Sequence, residues 1–186
     1  MLFRLPFVLP FRAATIGSGS IEPMTYLITF SCYGRHLHGH ESGSVDRNHN
    51  QAGSRLMDAD PDRVVLEELR RDQAPYGLDR LRRGVVLEAV LDRCSENHWT
   101  LLAAHVRTTH VHLVVEAEVR PERIMNDLKS YASRCLNRSG LDEAGRKRWA
   151  RHGSTRWLWH WPDISAAIRY VVDEQGDPMA VFEAPP

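Results

Sequence analysis

Three observations on the amino-acid sequence predict a single α+β domain built on a ferredoxin-like antiparallel sheet. Segments with strand and helix periodicity follow one another in the order strand, helix, strand, strand, helix, which is most of a split βαβ unit. The third strand, THVHLVVEAE at 109–118, sets Val111, Leu113, Val115 and Ala117 on one face and His110, His112, Val114, Glu116 and Glu118 on the other. The link before it, Thr108-Thr109, is so short that the two flanking strands should form an antiparallel hairpin. A length of 186 residues, 42% hydrophobic and 26% charged, suits one domain with a core of normal size.

Taken in order, the chain opens with MLFRLPFVLP, apolar but interrupted by Arg4 and two prolines, with no small-residue cleavage pattern directly after it. GSGS at 17–20 reads as linker, so residues 1–23 are expected to be a flexible N-terminal extension to a domain spanning 24–183. TYLITFSCYG, 25–34, is β-branched and aromatic and ends at a glycine, as a strand does. Residues 35–62 show no period and read as a long loop. Its His36, His38, His40 and His49 are either solvated or the ligands of a structural ion. After a short helix at about 62–71, residues 79–98 place Leu87, Val90, Leu91 and Cys94 on one helical stripe. WTLLAAHVR, 99–107, is the next strand, and 121–138 the next helix, with Pro121 suited to its first turn. Alternation in TRWLW suggests a further strand with one buried face, and core packing accounts most simply for at least two of Trp149, Trp157, Trp159 and Trp161. The last helix, about 163–174, stops before Gly176 and Pro178 and is read as structural.

The chemistry-bearing groups sit on the histidine strand and the helix after it. Two imidazoles on one strand face are about 7 Å apart along the chain, close enough to grip one metal ion. At 100° per residue, Ile124, Met125, Leu128, Ala132, Cys135 and Leu136 form the buried stripe of helix 121–138, and Asp127, Tyr131, Arg134 and Arg138 gather along its edge. A phenol among guanidinium groups, reaching over the sheet toward His110 and His112, has what phosphodiester transfer asks for, since a bound cation favours the phenolate or steadies charge on the phosphate. Packing the Tyr131 ring at the stripe's edge is the alternative.

Net charge is zero, but residues 120–160 hold ten lysines and arginines against four acids, whereas beyond residue 161 one arginine faces five acids. That polarity lets one surface bind phosphates while the total stays balanced. Lys129, Arg134, Arg138 and Arg156 are the candidate contacts to such phosphates, those of DNA if a nucleic acid is the partner, Arg156 before any particular tryptophan. Three widely spaced cysteines argue for a reducing compartment, expected to be the cytoplasm, and no apolar run approaches the roughly 20 residues that span a bilayer.

HVHLVV on a strand, followed by a helix reading MNDLKSYASRCLNR, resembles the IS200-type and REP-associated tyrosine transposases of the HUH superfamily. YLITFSCYGRHLHG, GSVDRNHN, WTLLAAHVR, RWARHGSTRWLW and IRYVVDEQGDP extend the resemblance over about residues 24–183. It implies cleavage and rejoining of single-stranded, hairpin-forming DNA by a homodimer on a ferredoxin-like sheet. In such proteins a histidine pair holds Mg²⁺ or Mn²⁺ against the scissile phosphate and a tyrosine attacks it, leaving a 5′-phosphotyrosine and a 3′-hydroxyl. Carried to this chain, His110 and His112 are the ligands and Tyr131 the nucleophile. One departure stands out: the polar third ligand expected a helical turn after the tyrosine is here Cys135, a soft sulfur ill suited to a hard ion. The alternative is therefore a domesticated, catalytically impaired DNA-hairpin-binding protein of the same fold.

Overall fold

The computed structural model describes residues 23–35, 69 and 71–185. The expected N-terminal extension, nearly all of the long loop with His36, His38, His40 and His49, and most of the helix expected at 62–71 lie outside the described residues. Among the described residues, five strands and three helices are arranged as β1 (Met24–Cys32), α1 (Arg80–Glu96), β2 (Thr100–Val106), β3 (His110–Ala117), α2 (Pro121–Arg138), β4 (Trp149–Leu158), α3 (Trp161–Val172) and β5 (Ala180–Glu183). The strands form one sheet in the order β4-β1-β3-β2-β5, every pairing antiparallel. Its first four strands with α1 and α2 are the ferredoxin-like arrangement expected from the sequence. β5 extends it along the free edge of β2.

Local signals account for the element ends. Asp79 caps α1 by accepting from the Arg82 backbone N–H at 2.8 Å. The helix closes with His98 in the left-handed region (φ 57°) and Trp99 N–H bonded back to the Cys94 carbonyl at 2.9 Å, a Schellman-type stop without glycine. Thr108 and Thr109 turn β2 into β3, closed by the Arg107 N–H on the His110 carbonyl at 2.9 Å. Prolines occupy the first turns of α2 and α3.

Period-two alternation sends side chains to two unlike faces. On one, Tyr26, Ile28, Phe30, Leu113 and Val115 meet Val86 and Val90 of α1 and Ile124, Leu128 and Leu136 of α2 in the main core. On the other, Ala103, Val114 and Leu158 meet Ala167 and Val171 of α3 in a smaller one. Between α2 and the sheet the packing is close: a Cβ on Gly153 would stand 2.5 Å from both Met125 Sδ and the Thr29 carbonyl oxygen. Outside the sheet, the buried Asp142 carboxylate joins three segments, accepting from Arg148 Nε at 2.7 Å, Tyr76 Oη at 2.7 Å and Arg82 Nε at 3.0 Å.

β4 does not bury tryptophans as the TRWLW pattern suggested. Leu158 fills the inward position, whereas Trp157, Trp159 and Trp161 are 40%, 65% and 70% exposed. Trp149 alone of the four packs inside, edge-on to Phe30, with Nε1 donating to the Lys129 carbonyl at 2.9 Å and Ser133 Oγ at 3.0 Å.

Candidate active site

His110 and His112 lie on the α3 side of the sheet, their rings 4.6 Å apart between centroids and steeply inclined. Each Nδ1 is engaged by a threonine hydroxyl: His112 with Thr29 of the paired strand at 2.7 Å, His110 with Thr109 at 2.9 Å. His112 is buried, and loss of hydration, reinforced by the neighbouring His110, pushes its pKa down to about 3. It is therefore a neutral imidazole at ordinary pH, the form that ligates metals.

His105 is the register partner of His112 from β2, yet its ring is consumed by the backbone. Nδ1 donates to the Val171 carbonyl at 2.9 Å, and Nε2 accepts the Met179 N–H at 3.2 Å. This fully buried histidine ties the end of α3 and the following segment to the sheet.

α3 delivers a group that the sequence reading assigned no chemistry. Ile164, Ala167, Ile168 and Val171 face the smaller core, and Tyr170, on the flank of that stripe, brings its ring to 5.5 Å from His112 at an interplanar angle of 77°. It remains 38% exposed, so the phenol is accessible beside the histidines. Gln175, just past the helix, donates from Nε2 to the Tyr170 carbonyl at 3.0 Å, which sets its amide beside the His112 imidazole. The signal for Tyr170 was present in IRYVVDEQGDP: a phenol at the edge of an apolar helical stripe, the same feature that singled out Tyr131.

The other expected site residues separate. Tyr131 is on α2, across the sheet from the histidines, because the α2 stripe buries against Val111, Leu113 and Val115 and not against the histidine face. Its ring lies between the guanidinium groups of Arg93 and Arg134, each 5.4 Å from the centroid, and its hydroxyl donates to Glu96 at 3.3 Å. Cys135 is on the same helix. Lys129, expected to contact DNA, is turned inward: Nζ donates to the carbonyls of Ala150 at 3.0 Å and His152 at 3.1 Å, and burial lowers its pKa to about 8. Arg134 and Arg138 are exposed on α2, Arg138 reaching Cys135 Sγ at 3.1 Å. Of the four basic candidates only Arg156, exposed on β4 opposite Leu27, shares the histidine face. Among the described residues no group of three or more His, Cys, Asp or Glu side chains could hold a metal ion.

Residues 77–157 match the family model described as "Transposase IS200 like", a span that runs from just before α1 into β4 and includes both histidines. The resemblance to IS200-type transposases is thereby borne out. Solved structures similar to this chain include a REP-associated tyrosine transposase bound to a REP hairpin, at 9% identity and a TM-score of 0.45, covering 87% of this chain and 72% of that one. Another is a Deinococcus radiodurans R1 protein described as a transposase, at 16% identity and a TM-score of 0.43, covering 87% of this chain and 98% of that one. No curated protein matches the chain by sequence. No helix among the described residues is long and apolar enough to cross a membrane.

Proposed function

We propose that this protein nicks and rejoins single-stranded DNA, with Tyr170 as the nucleophile in place of Tyr131. The observation that carries the reading is the approach of the Tyr170 ring to within 5.5 Å of His112, itself paired with His110. The phenol gives its proton to water, its oxygen attacks the phosphorus, and the bond from phosphorus to the 3′ oxygen breaks as that oxygen takes a proton from water. The products are a 5′-phosphotyrosine and a 3′-hydroxyl, and rejoining is the reverse attack by a 3′-hydroxyl.

The residues present suit a divalent ion. Both imidazoles are engaged at Nδ1, by Thr29 and Thr109, so a tautomer with the proton there would turn the Nε2 lone pair toward a cation, and the Gln175 amide beside His112 carries the kind of oxygen that a hard cation prefers. His110, His112 and Gln175 would hold it, and bound Mg²⁺ or Mn²⁺ would supply positive charge to the phosphate under attack. Placing the nucleophile on α3 also removes the difficulty of Cys135, since the positions about a turn beyond Tyr170 are Glu174 and Gln175. Phenol and histidines belong to one chain here, so the site needs no second copy, although the family resemblance implies a homodimer.

The test is incubation with labelled single-stranded hairpin DNA from the gene's own flanks and Mg²⁺ or Mn²⁺, followed by denaturing electrophoresis. A covalent adduct is expected that persists in Tyr131→Phe and disappears in Tyr170→Phe, in His112→Ala and with chelator. An adduct that depends on Tyr131 and survives Tyr170→Phe would return the nucleophile to α2, acting on a second copy. Tight hairpin binding with no adduct would establish the domesticated, binding-only alternative.

A further inference from the structure

The end of β4 carries an aromatic assembly that the cleavage chemistry does not use. Trp157 sets its ring edge-on to the fully buried Tyr26, 4.9 Å between centroids at 86°. Trp159 stacks on Trp157 at 5.5 Å and 13°, nearly parallel. Tyr26 thus braces the inner indole, the inner indole aligns the outer one, and the outer one is 65% exposed. A large apolar surface held flat in water is uncommon unless something covers it. Trp161, 70% exposed, follows at the first turn of α3.

The surroundings select the occupant. From Ala144 to Pro162 the chain holds Arg146, Lys147, Arg148, Arg151 and Arg156 and no acidic residue. β4 is an edge strand, so both its faces can be reached from one side. Trp157 and Trp159 share the face that carries α2, and Arg156, between Thr155 and Trp157, projects to the face that carries the histidines. Ser154, two residues before Arg156, is level with Thr29 and His112 across the sheet. That sets Arg156 about 7 Å along the strands and two strand spacings, about 10 Å, from the histidine pair.

We infer that Trp159, braced by Trp157, is a stacking platform for an unpaired base of single-stranded DNA, and that Arg156 holds the backbone where it crosses the β4 edge toward the histidines. Indole and base planes stack regardless of base identity, and a guanidinium at the platform's side neutralises a phosphate. The site deepens the cleavage reading, because it presumes the same DNA, but it is separable from the chemistry. It requires neither metal nor Tyr170.

The experiment titrates Tyr170→Phe protein in chelator with a short oligothymidylate, following intrinsic tryptophan fluorescence and, separately, the anisotropy of a labelled oligonucleotide. Stacking on Trp159 predicts quenching that saturates with binding, and a Trp159→Leu variant with most of the quenching gone and affinity roughly five- to hundredfold weaker. Arg156→Gln should weaken binding while keeping the quenching at saturation, and should flatten the salt dependence. Unchanged affinity and quenching in a folded Trp159→Leu protein would overturn the platform even if the Tyr170 adduct forms. Stacking without any adduct in the wild-type protein would leave the platform standing and remove the cleavage reading. Self-association that depends on concentration and is abolished by Trp159→Leu, with no oligonucleotide bound, would assign the surface to a second copy of the chain and overturn the inference.

Discussion

Single side chains decide where this site can be. His105 carries the same functional group as its neighbour His112, but its two ring nitrogens are spent on the Val171 carbonyl and the Met179 N–H. Replacing it with leucine leaves the buried Val171 carbonyl without this partner, a cost of about 1–3 kcal/mol. Urea unfolding of His105→Leu should show that loss, and adduct formation should fall with it because α3 carries Tyr170. Lys129 makes a second residue-scale prediction. Its folded-state pKa of about 8 lies below the usual 10.5, so between those values the unfolded chain holds the extra proton and stability gains as pH rises. Denaturation midpoints of wild type and Lys129→Met at pH 8 and pH 10 should therefore shift relative to each other in favour of the lysine at the higher pH. A constant difference would mean that the ammonium is hydrated despite its two carbonyl partners.

Elements were more legible in the sequence than their faces. Helix 121–138 was readable to the residue because Pro121 marks its start and its apolar stripe is wide, and the β2–β3 hairpin followed from Thr108-Thr109. β5 was not, since four residues of AVFE hold too little pattern to separate a strand from a coil. Which side of the sheet a helix covers is not written in its own periodicity, so the sequence leaves Tyr131 able to reach toward His110 and His112, whereas α2 packs on the opposite face of the sheet from them. The paired histidines were visible because both are on one strand. Tyr170 reaches them only through the docking of α3. Close packing of α2 on β1 and β4 gives a prediction at this scale: Gly153→Ala should cost about 1–3 kcal/mol in urea or thermal unfolding. Trimming Met125 to alanine should not restore it, because the Thr29 carbonyl stands equally close.

At the scale of the whole molecule, a carboxylate outside the sheet holds the connections together. Burial pushes the Asp142 carboxyl up, but hydrogen bonds from Tyr76, Arg148 and Arg82 outweigh it and leave its pKa below the ordinary 3.8. Its stabilisation is therefore complete above that value and lost as pH falls through the lowered one. Asp142→Ala strands the buried Arg148 guanidinium and should cost about 3–5 kcal/mol, measured by urea denaturation at neutral pH. At a pH below the folded-state value the difference from wild type should shrink.

The two cores are unequal, and Tyr170, the proposed nucleophile, rides on the lesser one. α1 and α2 share a broad buried cluster with the sheet, whereas α3 is held by a handful of apolar side chains and the His105 clamp. A helix held so lightly opens more often than the body it rests on. Amide protons of α3 should thus exchange with solvent faster than those of α1 and α2, and Tyr170 would come and go from the histidines while the sheet stays whole. The breathing of one helix, and not the melting of the protein, would then set how long a nicked strand is kept waiting.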